Sequence, residues 1–146
     1  MEIPHNAHVL VADGRKLLLF KNDGSVAAPK LNVATHREQD SAATQEQGAD
    51  KPGQTQSSVG GVRSGYEQTD FHQQDEDRFA ADAAEMLKRQ VLAGRIEALI
   101  VIAAPRTLGE LRKHYHHEVA KRVLGEIAKD VAGRPTDEIA TVIANS

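Results

Sequence analysis

The chain contains no cysteine and no tryptophan, and aromatic residues make up only 3% of its 146 residues. The lack of cysteine excludes disulfides and thiolate metal sites, which is compatible with a reducing cytoplasm. Hydrophobic residues still reach 40%, so the scarcity of aromatic residues predicts a core built from aliphatic side chains. A formal net charge of −3 gives no overall attraction for nucleic acid, and any such contact would need a local basic patch.

Targeting segments and common catalytic motifs are also absent from the sequence. The opening MEIPHNAH does not combine a basic segment with an apolar one, and no stretch approaches the length of a membrane span. No Ser/His/Asp triad, phosphate loop or dinucleotide fingerprint occurs. We therefore expect a cytoplasmic protein with no membrane contact, no cofactor and no assigned catalytic residue.

Large apolar residues are concentrated at the two ends of the chain. Nearly all of the Leu, Ile and Val residues lie within residues 1–36 and within about the last 70 residues, whereas the middle carries almost none. The bulky apolar residues between Arg37 and Asp77 are Val59, Val62, Tyr66 and Phe71. These are too few for the middle to fold on its own. We predict one domain over residues 1–146, with a long polar and mobile loop over residues 37–72.

Two short apolar runs near the start, HVLVA and KLLLF, have the character of strands. Asp13-Gly14 separates them and Asp23-Gly24 follows the second run. Since Asp-Gly is favoured in hairpin turns, this arrangement predicts an antiparallel meander. A third extended segment, from about Val26 to His36, would complete three strands, and Pro29 indicates an edge strand or a late start.

A helical period follows the polar stretch. Five apolar residues recur at helical spacing: Phe79, Ala83, Met86, Leu87 and Val91. They predict a helix over about Gln73 to Ala93, which Gly94 can close. The next segment, IEALIVIAA, is short and continuously apolar, as expected of a strand covered on both faces.

The last third of the chain predicts further helices and leaves one segment ambiguous. Thr107 and Glu110 have the spacing of a capping box, so a helix would start at Leu108. Residues 116–131 suit either a helix or a final strand. A short helix should run from Thr136 through about Ala144.

Five segments of the sequence occur in a characteristic order: VADGRKLLLF, KPGQTQSSVGGVRSGYEQTD, DEDRFAADAAEML, LIVIAAPRTLGELRK and EIAKDVAGRPTDEI. Together they resemble the bacterial host attachment protein family, over nearly the whole chain. Such proteins are similar in turn to the middle domain of archaeal and eukaryotic class 1 peptide release factors. The resemblance implies a three-layer α/β/α domain with a mixed sheet, in which helix–strand units follow the meander and a long polar loop is inserted after the third strand. It also favours a strand over residues 125–131.

Release factors of that class carry a Gly-Gly-Gln loop just ahead of a long helix, where paired glycines let the backbone enter the peptidyl transferase centre. Gly60 and Gly61 lie in the equivalent region, and Val62 stands where the motif has glutamine. The resemblance therefore implies a non-enzymatic, release-factor-like module that associates with the ribosome or a structured RNA. A role in host attachment would be indirect, because no export signal is present.

The candidate residues for binding RNA or an anion fall into two groups. Gly60, Gly61 and Arg63 form the first, around the glycine pair. The second surrounds the junction of a strand with a helix, where free N–H groups attract anions: Arg106, Thr107, Arg112 and Lys113. The alternative for this group is a helix cap and a solvated surface.

Two other classes of function stay open at this point. One is an enzyme, either a hydrolase of peptidyl-tRNA or nucleic acid esters, or a metal-dependent nuclease that uses Asp13; this residue is also the expected first residue of a hairpin turn. His114, His117 and Glu118 would form a metal triad if they shared one helix face. The other class is a protein-interaction domain that uses the acidic loop over residues 37–72.

Overall fold

The N-terminal strands β1 (His8–Ala12), β2 (Lys16–Asn22) and β3 (Leu31–Glu38) form an antiparallel meander in a computed structural model. The structure describes the backbone of residues 1–39 and 57–146, and the side chains of residues 1–39 and 73–146. The predicted meander is confirmed. Its third strand begins after Pro29 and lies at the sheet edge, as this proline indicates.

The long helix α1 (Ser57–Leu92) comes next in the described part of the chain. Its predicted end is close to the observed one, but the predicted start at Gln73 is wrong. Much of the predicted loop over residues 37–72 is therefore helical, its first residues belong to β3, and residues 40–56 lie outside the described residues. Neither α1 nor any other helix in the described part is long and apolar enough to cross a membrane.

The remaining elements are β4 (Leu99–Ala103), α2 (Pro105–His114), α3 (His117–Arg122), β5 (Val123–Ala128) and α4 (Thr136–Ala144). The ambiguous segment thus forms a short helix followed by a strand, and the strand lies slightly earlier than the predicted residues 125–131. Both β4 and β5 are parallel: β4 pairs with β1, and β5 pairs with β4. The predicted C-terminal helix is confirmed.

The five strands form one mixed sheet in the order β3-β2-β1-β4-β5, with an apolar cluster on each face. Alternate residues of β1 explain the two clusters, because Leu10 faces α1 and α2 whereas Val9 and Val11 face α4. The central strands β1 and β4 are buried along their whole length. This arrangement confirms the three-layer α/β/α architecture and its aliphatic core.

Candidate nucleic-acid interface

The glycine pair of the first candidate group lies in the first turns of α1. Gly60 and Gly61 follow the helix start at Ser57 and have helical backbone, so their predicted position in a loop is wrong. At a rise of 1.5 Å per residue, Gly61 is roughly 30 Å along the helix axis from Ala80, the first buried residue among the described side chains of α1. The pair therefore stays near the N-terminal end of the long helix, although the chain there is helical. Arg63 is in the same segment, and its side chain lies outside the described residues.

The second candidate group lies on α2, directly after β4. This helix starts at Pro105, and its N-cap residue Ala104 makes no side-chain capping bond. The predicted capping box and the start at Leu108 are therefore wrong. Proline explains the earlier start, because its fixed φ suits the first helical position and its missing N–H is not needed there. Thr107 is only 7% exposed and packs inward instead of capping the helix.

Backbone donors at the start of α2 come from Arg106 and Thr107, because Pro105 has no N–H. The Arg106 side chain is exposed and adds a positive charge at this end of the helix. A helix N-terminus with an exposed arginine suits a phosphate or another anion. Anion binding at this junction stays a prediction, and the buried Thr107 could contribute only its backbone N–H.

The two other cations of α2 are paired with carboxylates. Arg112 Nε and Nη2 lie 2.8 and 2.7 Å from Glu126 Oε1, and Lys113 Nζ lies 2.6 Å from Glu110 Oε2. The hydrogen bond to Glu126 raises the pKa of Arg112, and the bond to Glu110 raises the pKa of Lys113. Both cations are more than half exposed, so these pairs are weak and a phosphate could compete for them. The basic face of α2 is therefore less positive than its lysine and arginine suggest.

The structure does not bring the two candidate groups into one patch. Asp77 of α1 is close enough to Lys113 of α2 to raise the pKa of the lysine. The helix α2 packs against the buried part of α1 within one apolar cluster. Gly61 is farther along the same helix, roughly 24 Å from Asp77 at 1.5 Å per residue. An extended partner would be needed to contact both groups.

The histidine-rich segment after α2 does not form the single helix face that a metal triad requires. His114 ends α2, whereas His117 and Glu118 belong to α3. His116 caps α3, with its Nδ1 accepting the Glu118 N–H at 3.0 Å, and its ring stacks on His117 at 4.3 Å. The hydrogen bond from Lys121 is the main cause of the lowered pKa of Glu118. Among the described residues, no three His, Asp or Glu side chains are grouped closely enough to hold a metal ion.

Asp13 occupies the hairpin turn between β1 and β2. Its Oδ1 accepts the backbone N–H groups of Arg15 at 2.7 Å and Lys16 at 2.8 Å. The backbone N–H of Asp13 also donates to the Lys16 carbonyl at 3.0 Å. The predicted position of Asp13 in a hairpin turn is confirmed, since its carboxylate accepts the hydrogen bonds that stabilise the turn.

A polar cleft of about 590 Å³ lies where α1 ends over the sheet. Its polar lining comes from the segment before β1, the strands β1, β2 and β3, the last turn of α1 and the segment after it: Asn6, His8, Lys21, Thr35, Gln90, Arg95 and Glu97. Sequence reasoning missed this site. One signal was available, because His8 is the single polar residue in the apolar run HVLVA. The other lining residues are separated in sequence and are brought together only by the fold.

His8 is the buried polar group of this cleft. It is 5% exposed, and its Nδ1 is buried with no hydrogen-bond partner among the described residues. Burial lowers the pKa of His8, and the nearby Lys21 lowers it further, while Asp23 acts in the opposite direction. The ring is therefore held in its neutral form at neutral pH.

The fold and the glycine pair at the start of a long helix define a release-factor-like α/β domain. A family model, described as bacterial archaeo-eukaryotic release factor family 12, matches residues 6–143 of the chain. The protein belongs to this family, which confirms the predicted resemblance to release factors. No curated protein matches the sequence.

Proposed function

We propose that this protein is a non-enzymatic, release-factor-like module that associates with the ribosome or a structured RNA. The observation that carries the proposal is the family match over residues 6–143, which covers nearly the whole domain. The position of Gly60 and Gly61 near the start of α1 supports it. Glycine has no side chain, so RNA can approach the backbone closely at these residues.

Val62 supports a binding role over hydrolysis. It stands where the release-factor motif has the glutamine that helps to position water, and a valine side chain offers no hydrogen-bonding group for that task. The module would therefore dock without releasing a peptide. A peptidyl-tRNA release assay checks this part of the proposal, and turnover above background that is lost in Gly61→Ala would contradict it.

The separation of the candidate groups favours an extended partner. Gly61 and the α2 group around Arg106 and Lys113 are separated by roughly 24 Å along α1, at 1.5 Å per residue. A folded RNA presents phosphates over such distances, whereas a small ligand does not. The net charge of −3 means that these contacts must be local, and the few cations predict a shallow salt dependence of binding.

Ribosome co-sedimentation at low salt tests the proposal. We expect the wild-type protein to pellet with ribosomes, and the double variant Gly60→Val, Gly61→Val to pellet several-fold less, because the new side chains block close approach of the backbone. Ser64→Val, a substitution in the same part of α1, is the matched control and should pellet like the wild type. No association above background, in growing or stressed cells, would refute the proposal.

The resemblance to host attachment proteins implies a role in host attachment, and we propose that this role is indirect. The protein would act inside the cell, and adhesion would change through its effect on translation. Surface labelling of intact cells checks this point. Strong labelling of the protein would contradict an indirect role.

A further inference from the structure

The cleft beside His8 exists because α1 ends before it covers the whole sheet. The residues Leu10 and Leu19 are buried under the helix, whereas the next pair along the same face is His8 opposite Lys21. The helix stops at Leu92, and Gly94 with a φ of 78° turns the chain away. Within residues 1–39 and 73–146, no side chain covers this face of the sheet at the start of β1.

The turn after α1 also places a cation at the cleft. The Arg95 N–H donates to the Gln90 carbonyl at 2.9 Å, and the Gly94 N–H donates to the Val91 carbonyl at 2.9 Å. These two bonds are those of a Schellman motif, which satisfies the last carbonyls of the helix. Arg95 is thereby fixed at the rim, and carbonyls that would repel an anion are already bonded.

The charges in the cleft are suited to a ligand with both an anionic part and hydrogen-bond donors. Lys21 and Arg95 form no ion pair with any carboxylate whose side chain is described. Glu97, also in the lining, is an acceptor and would repel a bare phosphate. It would instead accept hydrogen bonds from hydroxyl or amino groups of a larger ligand.

The remaining lining is uncharged and polar. Asn6, Thr35 and Gln90 each provide both a donor and an acceptor, and His8 contributes a ring whose Nδ1 is buried without a partner among the described residues. An unsatisfied buried nitrogen is unfavourable for folding, and an apolar residue would be expected on this face if stability alone mattered. Its presence in the wall of a polar cleft points to a ligand.

We propose that this cleft binds a nucleotide, with the phosphate between Lys21 and Arg95 and the sugar or base beside Glu97. The volume of about 590 Å³ lies within the range of small-molecule sites and leaves room for more than a phosphate. The nucleotide is either a free mononucleotide or the 5′-phosphorylated end of an RNA strand. The proposal goes beyond the proposed function, because a mononucleotide would bind without the ribosome.

Calorimetric titration of the full chain tests the free-nucleotide arm, with AMP and UMP as probes. We expect saturable binding that is at least ten-fold weaker for adenosine, which lacks the phosphate, and for inorganic phosphate, which leaves most of the cleft empty. Lys21→Ala and Arg95→Ala should each weaken mononucleotide binding at least about ten-fold, since each removes a charged hydrogen-bond donor to the phosphate. Lys129→Ala removes an exposed lysine at the opposite end of the sheet and should leave binding unchanged.

A short single-stranded RNA with a 5′-phosphate tests the second arm, against the same RNA with a 5′-hydroxyl. Preference for the 5′-phosphate that is lost in Lys21→Ala and Arg95→Ala would assign the cleft to RNA ends. The proposal is overturned if no probe binds saturably, or if binding is the same in the two cleft variants and in Lys129→Ala. Ribosome association of Lys21→Ala separates the two proposals, because docking through the glycine pair should persist in this variant.

Discussion

At the scale of single residues, His8 departs from the apolar character of its strand. It shares a face of β1 with the buried Leu10, yet it carries a nitrogen with no partner among the described residues. The register of the sheet places Lys21 directly opposite. Burial and the charge of Lys21 both disfavour the protonated ring, so His8 is harder to protonate in the folded chain than in the unfolded chain.

Acidification should therefore destabilise the protein through His8. Its pKa is lowered from the usual 6.5, so the unfolded chain binds the proton more tightly than the folded chain does. The contribution to stability is present above pH 6.5 and is lost as the pH falls through the lowered folded-state pKa. Urea unfolding of the wild type and of His8→Leu, measured from pH 7.5 to 5, should show the wild type losing stability relative to the variant.

Comparison with this variant isolates His8, because the two proteins differ only at this residue. His114→Gln changes an exposed histidine and controls for the substitution of a histidine in itself. The same relative pH dependence in His114→Gln would contradict the assignment to His8. His8→Leu should also weaken binding of AMP, a loss that a purely structural histidine would not cause.

Gly94 ends α1 in a left-handed backbone conformation that favours glycine. Its φ is 78°, and an added Cβ would meet no atom within 4 Å, so any cost of Gly94→Ala is conformational strain. We expect Gly94→Ala to lower the free energy of unfolding by about 1 kcal/mol. Gly109→Ala, within α2 and also with open space, should raise it by up to about 1 kcal/mol, because alanine is the better helix former. Urea unfolding measures both, and changes of the same sign would contradict this explanation.

At the scale of elements, α1 shows what hydrophobic periodicity can and cannot locate. The apolar period predicts the part of the helix that packs on the sheet, beginning near Phe79. It gives only a weak signal for residues 57–72, where bulky apolar residues are few and glycine is frequent. Extending an existing helix requires far less free energy than nucleating one, so the packed part can propagate the helix toward Ser57.

The packed part of α1 approaches the sheet through small residues. Ala80, Ala83 and Ala84 are each 1% exposed, so no space remains for a larger side chain. Ala84→Leu should lower the free energy of unfolding by about 1–3 kcal/mol through overpacking. Glu85→Leu adds the same side chain at the neighbouring exposed position and should change it by less than about 0.5 kcal/mol. Equal effects of the two substitutions would show that this contact is not tightly packed.

The observed boundaries of α2 and β5 differ from those that the capping-box spacing and the family resemblance predict. The spacing of Thr107 and Glu110 predicts a helix cap at Thr107. The helix instead begins at Pro105, and the Thr107 side chain is buried. For β5, parallel pairing with β4 begins at Val123, because Leu99 has its partner there. A strand boundary of this kind depends on the neighbour across the sheet, which a single segment does not reveal.

At the scale of the whole molecule, the two ends of the chain form one sheet. The N-terminal β1 lies between β2 and the C-terminal β4, and it pairs with both along its whole length. Neither end has a complete sheet or core without the other. The central strand β1 therefore has neighbours from both ends of the chain.

Cutting the chain between residues 40 and 56 should not separate its two parts. With a protease site inserted there and cleaved, the fragments containing β1 and β4 should co-elute in size-exclusion chromatography and unfold in one transition, because the buried β1–β4 pairing joins them. The matched control is a cleavage site added after Ser146, which leaves the domain intact. Fragments that separate and stay folded would refute the single sheet.

The aliphatic core, the antiparallel meander, the buried strand β4 and the resemblance to release factors could be predicted from the sequence alone. These follow from local patterns of apolar residues, turn residues and motifs, which are written along the chain. The limits of β5 and the cleft at His8 came only from the tertiary structure. Each of these depends on groups that are distant in sequence and meet only when the sheet forms, so no local pattern could specify them.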